Sequence, residues 1–214
     1  MKLYFTKTPR IFTRIFSNYT WRFAEDKKEI YLTFDDGPTP EITNFVLSEL
    51  QKHNAKATFF CIGKNIEKHP EIFKQILSEG HSVGNHTQNH FNGWKHKTND
   101  YLDNVLKVEE TLKTCNYQSL KLNLFRPPYG KIKTSQAKEL IKKGYKIIMW
   151  SVLSADFDTS ISKEQCLQNV LKNTTNGSII VFHDSVKASE KLRFVLPKIL
   201  DEFSKKGFKF KAIK

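Results

Sequence analysis

From residue 29 to the C-terminus the chain alternates strand-like and helix-like segments, and no other feature limits its fold as much. EIYLTFDD (29–36), KATFFCIG (56–63), HSVGNHT (81–87), LNLFRPPYG (122–130), KIIMWSVLS (146–154), GSIIVFHD (177–184) and FKFKAI (208–213) read as strands, short apolar runs bounded by turn residues. The six segments between them carry a helical period; in EITNFVLSELQKH, Ile42, Phe45, Val46 and Leu50 share one face. Seven strands alternating with six helices imply a parallel α/β architecture. Thr39-Pro40 reads as an N-cap with proline at the first helical position, and Ser162 to Gln165 as a capping box. Pro197 predicts a kink in the last helix. Residues 1–28 precede the alternation and read as an N-terminal extension packed on the domain. There is no internal repeat or linker, so residues 29–214 form one domain.

Such a chain can build an open doubly wound sheet or a barrel. The polar clusters choose between them. Asp35-Asp36, His86 to His90, Arg126 to Tyr129, Asp156 and His183 each follow a strand at its C-terminal end. In a barrel those ends ring one mouth, where barrel enzymes keep their chemistry; in a wide open sheet the outer ones lie too far apart. Cooperation among the clusters therefore predicts a barrel.

A net charge of +13 invites a nucleic-acid reading. Its distribution argues against one. Residues 1–30 hold seven Lys/Arg against three acids and residues 186–214 nine against three, so the termini carry most of the excess. No nucleic-acid motif accompanies them, and the sequence predicts no nucleic-acid partner. Cys61, Cys115 and Cys166 are an odd number without C-x-x-C spacing, which predicts free thiols. In the N-terminal stretch the longest uncharged run, IFSNYTW, is too short and polar for a signal-peptide core or a membrane span. The expectation from this is a cytoplasmic protein with no membrane span. Oligomeric state is not legible.

TFDDGP brings two like charges together where a strand ends. A solvated turn is the plain explanation; a carboxylate that holds a cation beside one that takes a proton is the functional one. His86-Thr87-Gln88-Asn89-His90 sets two imidazoles four residues apart, and a helical turn would put both on one side, able to share a tetrahedral metal. A carboxylate from another strand would complete a His₂-Asp site with one open position, an arrangement used by catalytic zinc. In RPPYG the prolines stiffen a strand exit, and Arg126 can orient a carboxylate through paired hydrogen bonds. His183 in VFHDS is a candidate proton donor at a strand exit, and Asp156 or Asp158 in SADFD a candidate partner for it.

TFDDGP, HTQNH, RPPYG, WSVLSADF and VFHD occur in the order and approximate spacing of the polysaccharide deacetylases, the NodB-homology enzymes of carbohydrate esterase family 4, which this chain resembles over roughly residues 29–210. The resemblance implies a distorted (β/α)7-type barrel, with 29–214 as the catalytic domain, and metal-dependent hydrolysis of acetyl groups on an acetylated carbohydrate. By motif position it implies that Asp36, His86 and His90 bind one divalent metal ion, usually Zn²⁺. It makes Asp35 the general base, oriented by Arg126, and His183 the general acid, tuned by Asp156; the backbone N–H of Tyr129 helps hold the oxyanion. N- and O-deacetylation both fit this machinery, as do hydrolysis of other non-peptide amides and a non-catalytic carbohydrate-binding role, against which the intact base and acid argue.

The chain departs from the family pattern in its fourth motif, where Leu153 and Phe157 replace an Asp and a Trp. The expectation is a more apolar mouth, with Phe157 as a pocket wall. Val181 stands where leucine is usual. Trp94, just beyond His90, is a candidate sugar-stacking platform or a core residue.

Overall fold

The computed structural model describes residues 4–117 and 119–214. A short helix α1 (Arg10–Ile15) precedes β1 (Glu29–Asp35), α2 (Ile42–Lys52), β2 (Thr58–Cys61), α3 (Gly63–Lys68), α4 (Pro70–Ser78) and β3 (Ser82–Asn85). The chain continues through α5 (Thr98–Thr114), β4 (Leu124–Phe125), α6 (Thr134–Lys142), β5 (Lys146–Ile147) and β6 (Val152–Leu153). It ends with α7 (Lys163–Asn173), β7 (Ile179–His183), α8 (Ser189–Lys205) and β8 (Lys209–Phe210). The parallel strands pair in the order β5-β4-β3-β2-β1-β7-β6, and β8 adds to the start of β1. This is the distorted (β/α)7-type barrel, a sheet curled on itself with helices outside.

The period of two along β1 explains the layers. Ile30, Leu32 and Phe34 are buried in the cluster that the helices cover. Phe34 stacks on its register partners Phe59 and Phe182, with ring centroids 5.1 and 6.0 Å away. Each such ring removed from water stabilises the fold by about 1.5–3 kcal/mol. Thr33 and Asp35, on the opposite face, are buried as well, beside Arg126. A smaller apolar cluster includes Phe60, Leu124, Ile148 and Ile179.

β5 and β6 end the pairing order, and the N-terminal segment spans the two strands. Lys7 bridges Val152, Thr20 bridges Ile148 and Arg22 bridges Ser178. The expected single strand KIIMWSVLS is therefore two. Between them, the N–H of Met149 donates to Thr20 O (2.7 Å) and the carbonyl of Ser151 accepts from Thr8 N (3.0 Å).

One further local expectation needs correction. α2 begins at Ile42, not beside Thr39-Pro40; Glu41, at φ +63°, precedes it, and its N–H donates to Asn44 Oδ1 (3.1 Å). The last helix is assigned continuously from Ser189 to Lys205 with Pro197 inside it. The short helices α1 and α3 were not expected. The capping box at Ser162 is present, its Oγ accepting from Gln165 N at 3.2 Å. All three cysteines are free.

Candidate active site

The strand ends bring the sequence-predicted residues together. Asp35 closes β1 and is the register partner of His183, which closes β7. Arg126 follows β4 and is fully buried. Its Nη1 donates to Asp35 Oδ1 (2.7 Å) and to Thr33 Oγ1 (2.6 Å). Nε and Nη2 donate to the carbonyls of Ile148 (3.1 Å) and Met149 (3.0 Å), and the guanidinium lies 4.1 Å from the Phe60 ring centre. Burial pulls the Arg126 pKa down and Asp35 pulls it back up. The carboxylate is thus held by a cation that cannot itself reorient.

Asp36 leaves the strand at φ +81°, a conformation Asp tolerates better than most residues. Its Oδ1 is buried and accepts no hydrogen bond, yet lies 3.2 Å from His90 Nε2 and 3.7 Å from His86 Nε2. Ligands bound tetrahedrally at about 2.1 Å stand about 3.4 Å apart, so this spacing fits a shared ion. His86 Nδ1 is bonded to the Arg126 carbonyl at 2.8 Å, which leaves Nε2 as the free ligand atom. Burial pushes the His86 pKa down to about 4, so the ring is neutral and ligand-competent at pH 7. Burial raises Asp36, but His90 contact and the charges of His183, His86 and His90 outweigh it and hold the acid below the ordinary carboxylate range.

The histidine pair does not sit on a helical turn. HTQNH is an irregular loop with Thr87 at φ +65° and His90 at φ +56°. Three bonds shape it: Thr87 N–H to Asn85 Oδ1 (2.8 Å), Asn89 N–H to Asn104 Oδ1 (3.0 Å) and Phe91 N–H to Thr87 Oγ1 (3.0 Å). Spacing alone could not distinguish this loop from a helix.

His183 Nδ1 meets Asp156 Oδ1 at 2.7 Å, and its backbone N–H donates to Asp156 Oδ2 at 2.8 Å. Burial pulls this imidazole down, but the Asp156 charge and hydrogen bond, aided by Asp36 and Asp35, raise it to about 9. Phe157 packs edge-on against the His183 ring at 5.1 Å. Leu153 is buried in β6, so of the two departures only Phe157 shapes the mouth. Trp94 is exposed rather than buried, its Nε1 donating to Ile132 O at 3.2 Å. Tyr129 has φ +60°, and its ring lies 4.5 Å from that of His90. Asp158 lies apart from this pair and accepts a hydrogen bond from Tyr4.

One residue of the site escaped sequence reasoning. Asp184, fully buried beside His183, accepts from Gly37 N–H (3.1 Å) and Thr43 Oγ1 (2.5 Å). Its own N–H donates to Asp35 O (3.0 Å), tying β7 to the turn that carries both aspartates. Burial pushes its pKa up to about 7. The signal lay in VFHDS, where the acid stands next to the histidine. Beyond Asp36 a cleft of about 370 Å³ opens, lined by His90, Pro38, Ile62, Asn65, His69 and Val186 among others.

A curled (β/α)7 barrel carrying an Asp-His-His cluster and two partnered acid–base groups at its strand ends defines the class: a barrel hydrolase. The chain belongs to the polysaccharide deacetylase family, whose model matches residues 23–148. It is similar to a peptidoglycan-N-acetylglucosamine deacetylase of Bacillus cereus, 38% identical over 193 residues, covering 90% of this chain and 69% of the relative. A chitooligosaccharide deacetylase of Azorhizobium caulinodans is 32% identical over 169 residues, covering 79% of this chain and 80% of that protein. The crystal structure of a peptidoglycan N-acetylglucosamine deacetylase in complex with an N-hydroxybenzamide superposes with a TM-score of 0.87 at 36% identity, covering 96% and 95% of the two chains.

Proposed function

We propose that this protein is a metal-dependent deacetylase that hydrolyses the N-acetyl group of N-acetylglucosamine units in a glycan, releasing acetate and a free amine. The observation that carries the reading is the Asp36 Oδ1, buried without a hydrogen bond and spaced from two imidazole nitrogens as a third ligand would be. Asp36, His86 and His90 would hold the ion, zinc by the chemistry of two nitrogens and one oxygen. When bound, a divalent cation supplies Lewis-acid polarisation and makes water more acidic.

The protein's own groups perform the rest. Asp35 takes a proton from the attacking water; its bond to Arg126 fixes which oxygen remains free to do so. The Tyr129 backbone N–H donates to the oxyanion that develops on the acetyl carbonyl. His183 gives its proton to the departing amine, which is a poor leaving group without it. The Asp156 bond holds Nδ1 and directs Nε2 to this task. The names of the relatives support an N-acetyl sugar as the substrate.

The test is acetate and free-amine release by metal-loaded protein from N-acetylglucosamine oligomers and peptidoglycan, beside O-acetylated glycans. Equal acetate and amine, reduced ~10²–10⁴-fold in Asp35→Asn, is the expected result. Acetate from esters alone would make the protein an O-deacetylase, and none from any substrate would make it a non-catalytic relative.

A further inference from the structure

The N-terminal segment carries two features that the catalytic reading leaves unused. The first is apolar exposure. Of the eight exposed large apolar side chains among the described residues, four fall within twelve positions: Phe5 (61% exposed), Ile11 (56%), Ile15 (63%) and Phe16 (39%). None of the six residues of α1 is buried. A helix this short does not persist in water on its own propensity, and its aliphatic side chains point away from the core that should have held them.

The second feature is charge. A cavity of about 620 Å³ beside α1 is lined by Lys7, Arg10, Arg14 and Arg22, with Glu25 as its one acid. Lys7, Arg10 and Arg14 have no acidic partner among the described residues. Arg22 pairs with Glu25 at 2.6 Å and donates to Thr175 Oγ1 and Asn176 O, yet its buried Nε has no acceptor. Thr13 and Ser178 complete the wall, their hydroxyls bonded to Arg10 O and Thr175, so the charged groups of Lys7, Arg10 and Arg14 are what the cavity offers to phosphate oxygens. On α1 the cavity-lining positions 10, 13 and 14 form one face, and 11 and 15 stand next to it.

We propose that this segment docks the protein on an anionic lipid bilayer: the cations take headgroup phosphates, and Phe5, Ile11, Ile15 and Phe16 enter the acyl boundary. Basic residues alternating with exposed aliphatic and aromatic ones are what an interfacial site requires. A soluble polyanion would use the charges and gain nothing from the isoleucines. The position agrees. Ser178 precedes β7 and His183 ends it, so the cavity and the catalytic mouth lie at opposite ends of that strand, roughly 16 Å apart at about 3.3 Å per residue. Docking there leaves the mouth open. It also accounts for positive charge gathered at the N-terminus that no nucleic-acid motif explains.

Vesicle flotation tests this, with phosphatidylglycerol–phosphatidylcholine vesicles against phosphatidylcholine alone. The expected result is binding to the anionic vesicles only. One exposed Lys or Arg near such a surface changes partitioning about fivefold, so Arg10→Ala with Arg14→Ala should weaken it about 25-fold. Ile11→Ser with Ile15→Ser should leave only binding that high salt abolishes, whereas wild type retains a salt-resistant fraction. Both double variants should deacetylate a soluble oligomer as wild type does. If a variant does not fold, quenching of Trp21 by brominated acyl chains in wild type decides: quenching supports docking and its absence overturns it. Failure to bind anionic vesicles overturns the proposal. So does an isoleucine variant that binds vesicles and soluble polyphosphate as wild type does, which would assign the patch to a soluble polyanion.

Discussion

Asp156→Asn tests how His183, the proposed proton donor, is tuned. The substitution keeps an oxygen for the His183 backbone N–H, now at 2.8 Å, and removes the charge 2.7 Å from Nδ1. His183 stands at about 9 rather than the ordinary 6.5, although burial alone would lower it. At about 1.4 kcal/mol per pH unit, that difference is on the order of 3 kcal/mol in favour of the protonated ring. Without the Asp156 charge and hydrogen bond, burial is opposed only by Asp36 and Asp35, and the ring should titrate well below its wild-type position. The alkaline limb of kcat/KM should therefore move down by roughly two pH units or more. A bound cation lowers His183 in both proteins, so the difference between them survives metal loading.

Stability should follow the same linkage. A folded-state pKa raised above the unfolded value gives stability that is complete below about pH 6.5 and is lost as pH rises through about 9. The gap in unfolding free energy between wild type and Asp156→Asn should be widest near pH 6 and narrow toward pH 9. Histidine proton NMR on the metal-free proteins, urea unfolding across that range, and pH profiles of acetate release on metal-loaded protein are the measurements. An alkaline limb and a His183 titration that both stay in place would refute the reasoning.

Metal occupancy should separate the adjacent acids: His86→Ala and Asp36→Asn should lose the single divalent ion by elemental analysis, while Asp35→Asn retains it. An emptied Asp35→Asn site beside a filled Asp36→Asn site would reverse the roles. Gly37→Ala should cost on the order of 1–3 kcal/mol and most activity, because its Cβ would stand 2.0 Å from Asp184 Oδ2. Wild-type urea unfolding and acetate release in Gly37→Ala would show that the turn can yield without disturbing the two aspartates.

The strands were legible where the sequence repeats the chemistry of a buried sheet. Leu32, Phe34, Phe59 and Phe182 announce themselves, and the residues after them fall at the barrel mouth. The break within KIIMWSVLS was not legible, because nothing local marks it. The carbonyls of Ile148 and Met149 serve Arg126, and Thr8 and Thr20 supply backbone partners from more than a hundred residues away. The backbone of HTQNH, though not the convergence of its histidines, was hidden for a related reason: the i,i+4 spacing is common to a helix and to a loop that Asn85 and Asn104 hold in left-handed conformations. Tertiary hydrogen bonds decided these cases, and a single sequence does not display them. The identities of the clustered residues were nonetheless readable, since each cluster follows its own strand.

The question raised by two adjacent carboxylates has an electrostatic answer. A buried acid is tolerated when a cation or donors meet it. Asp35 has the Arg126 guanidinium, Asp156 has the raised imidazole of His183, and Asp184 has the Gly37 N–H and the Thr43 hydroxyl. Asp36 is different. His86 beside it is pushed toward neutrality by burial, and Asp36 Oδ1 accepts no hydrogen bond at all. Three acids of the mouth are satisfied by hydrogen bonds or ion pairs within the fold, and the fourth has only the neighbouring imidazoles. Its neighbours are two imidazoles at ligand spacing, which is why we propose that a divalent cation completes this site. On the proposed mechanism the pairing also divides the labour: the acid held by Arg126 is left to move a proton, and the other to hold the cation.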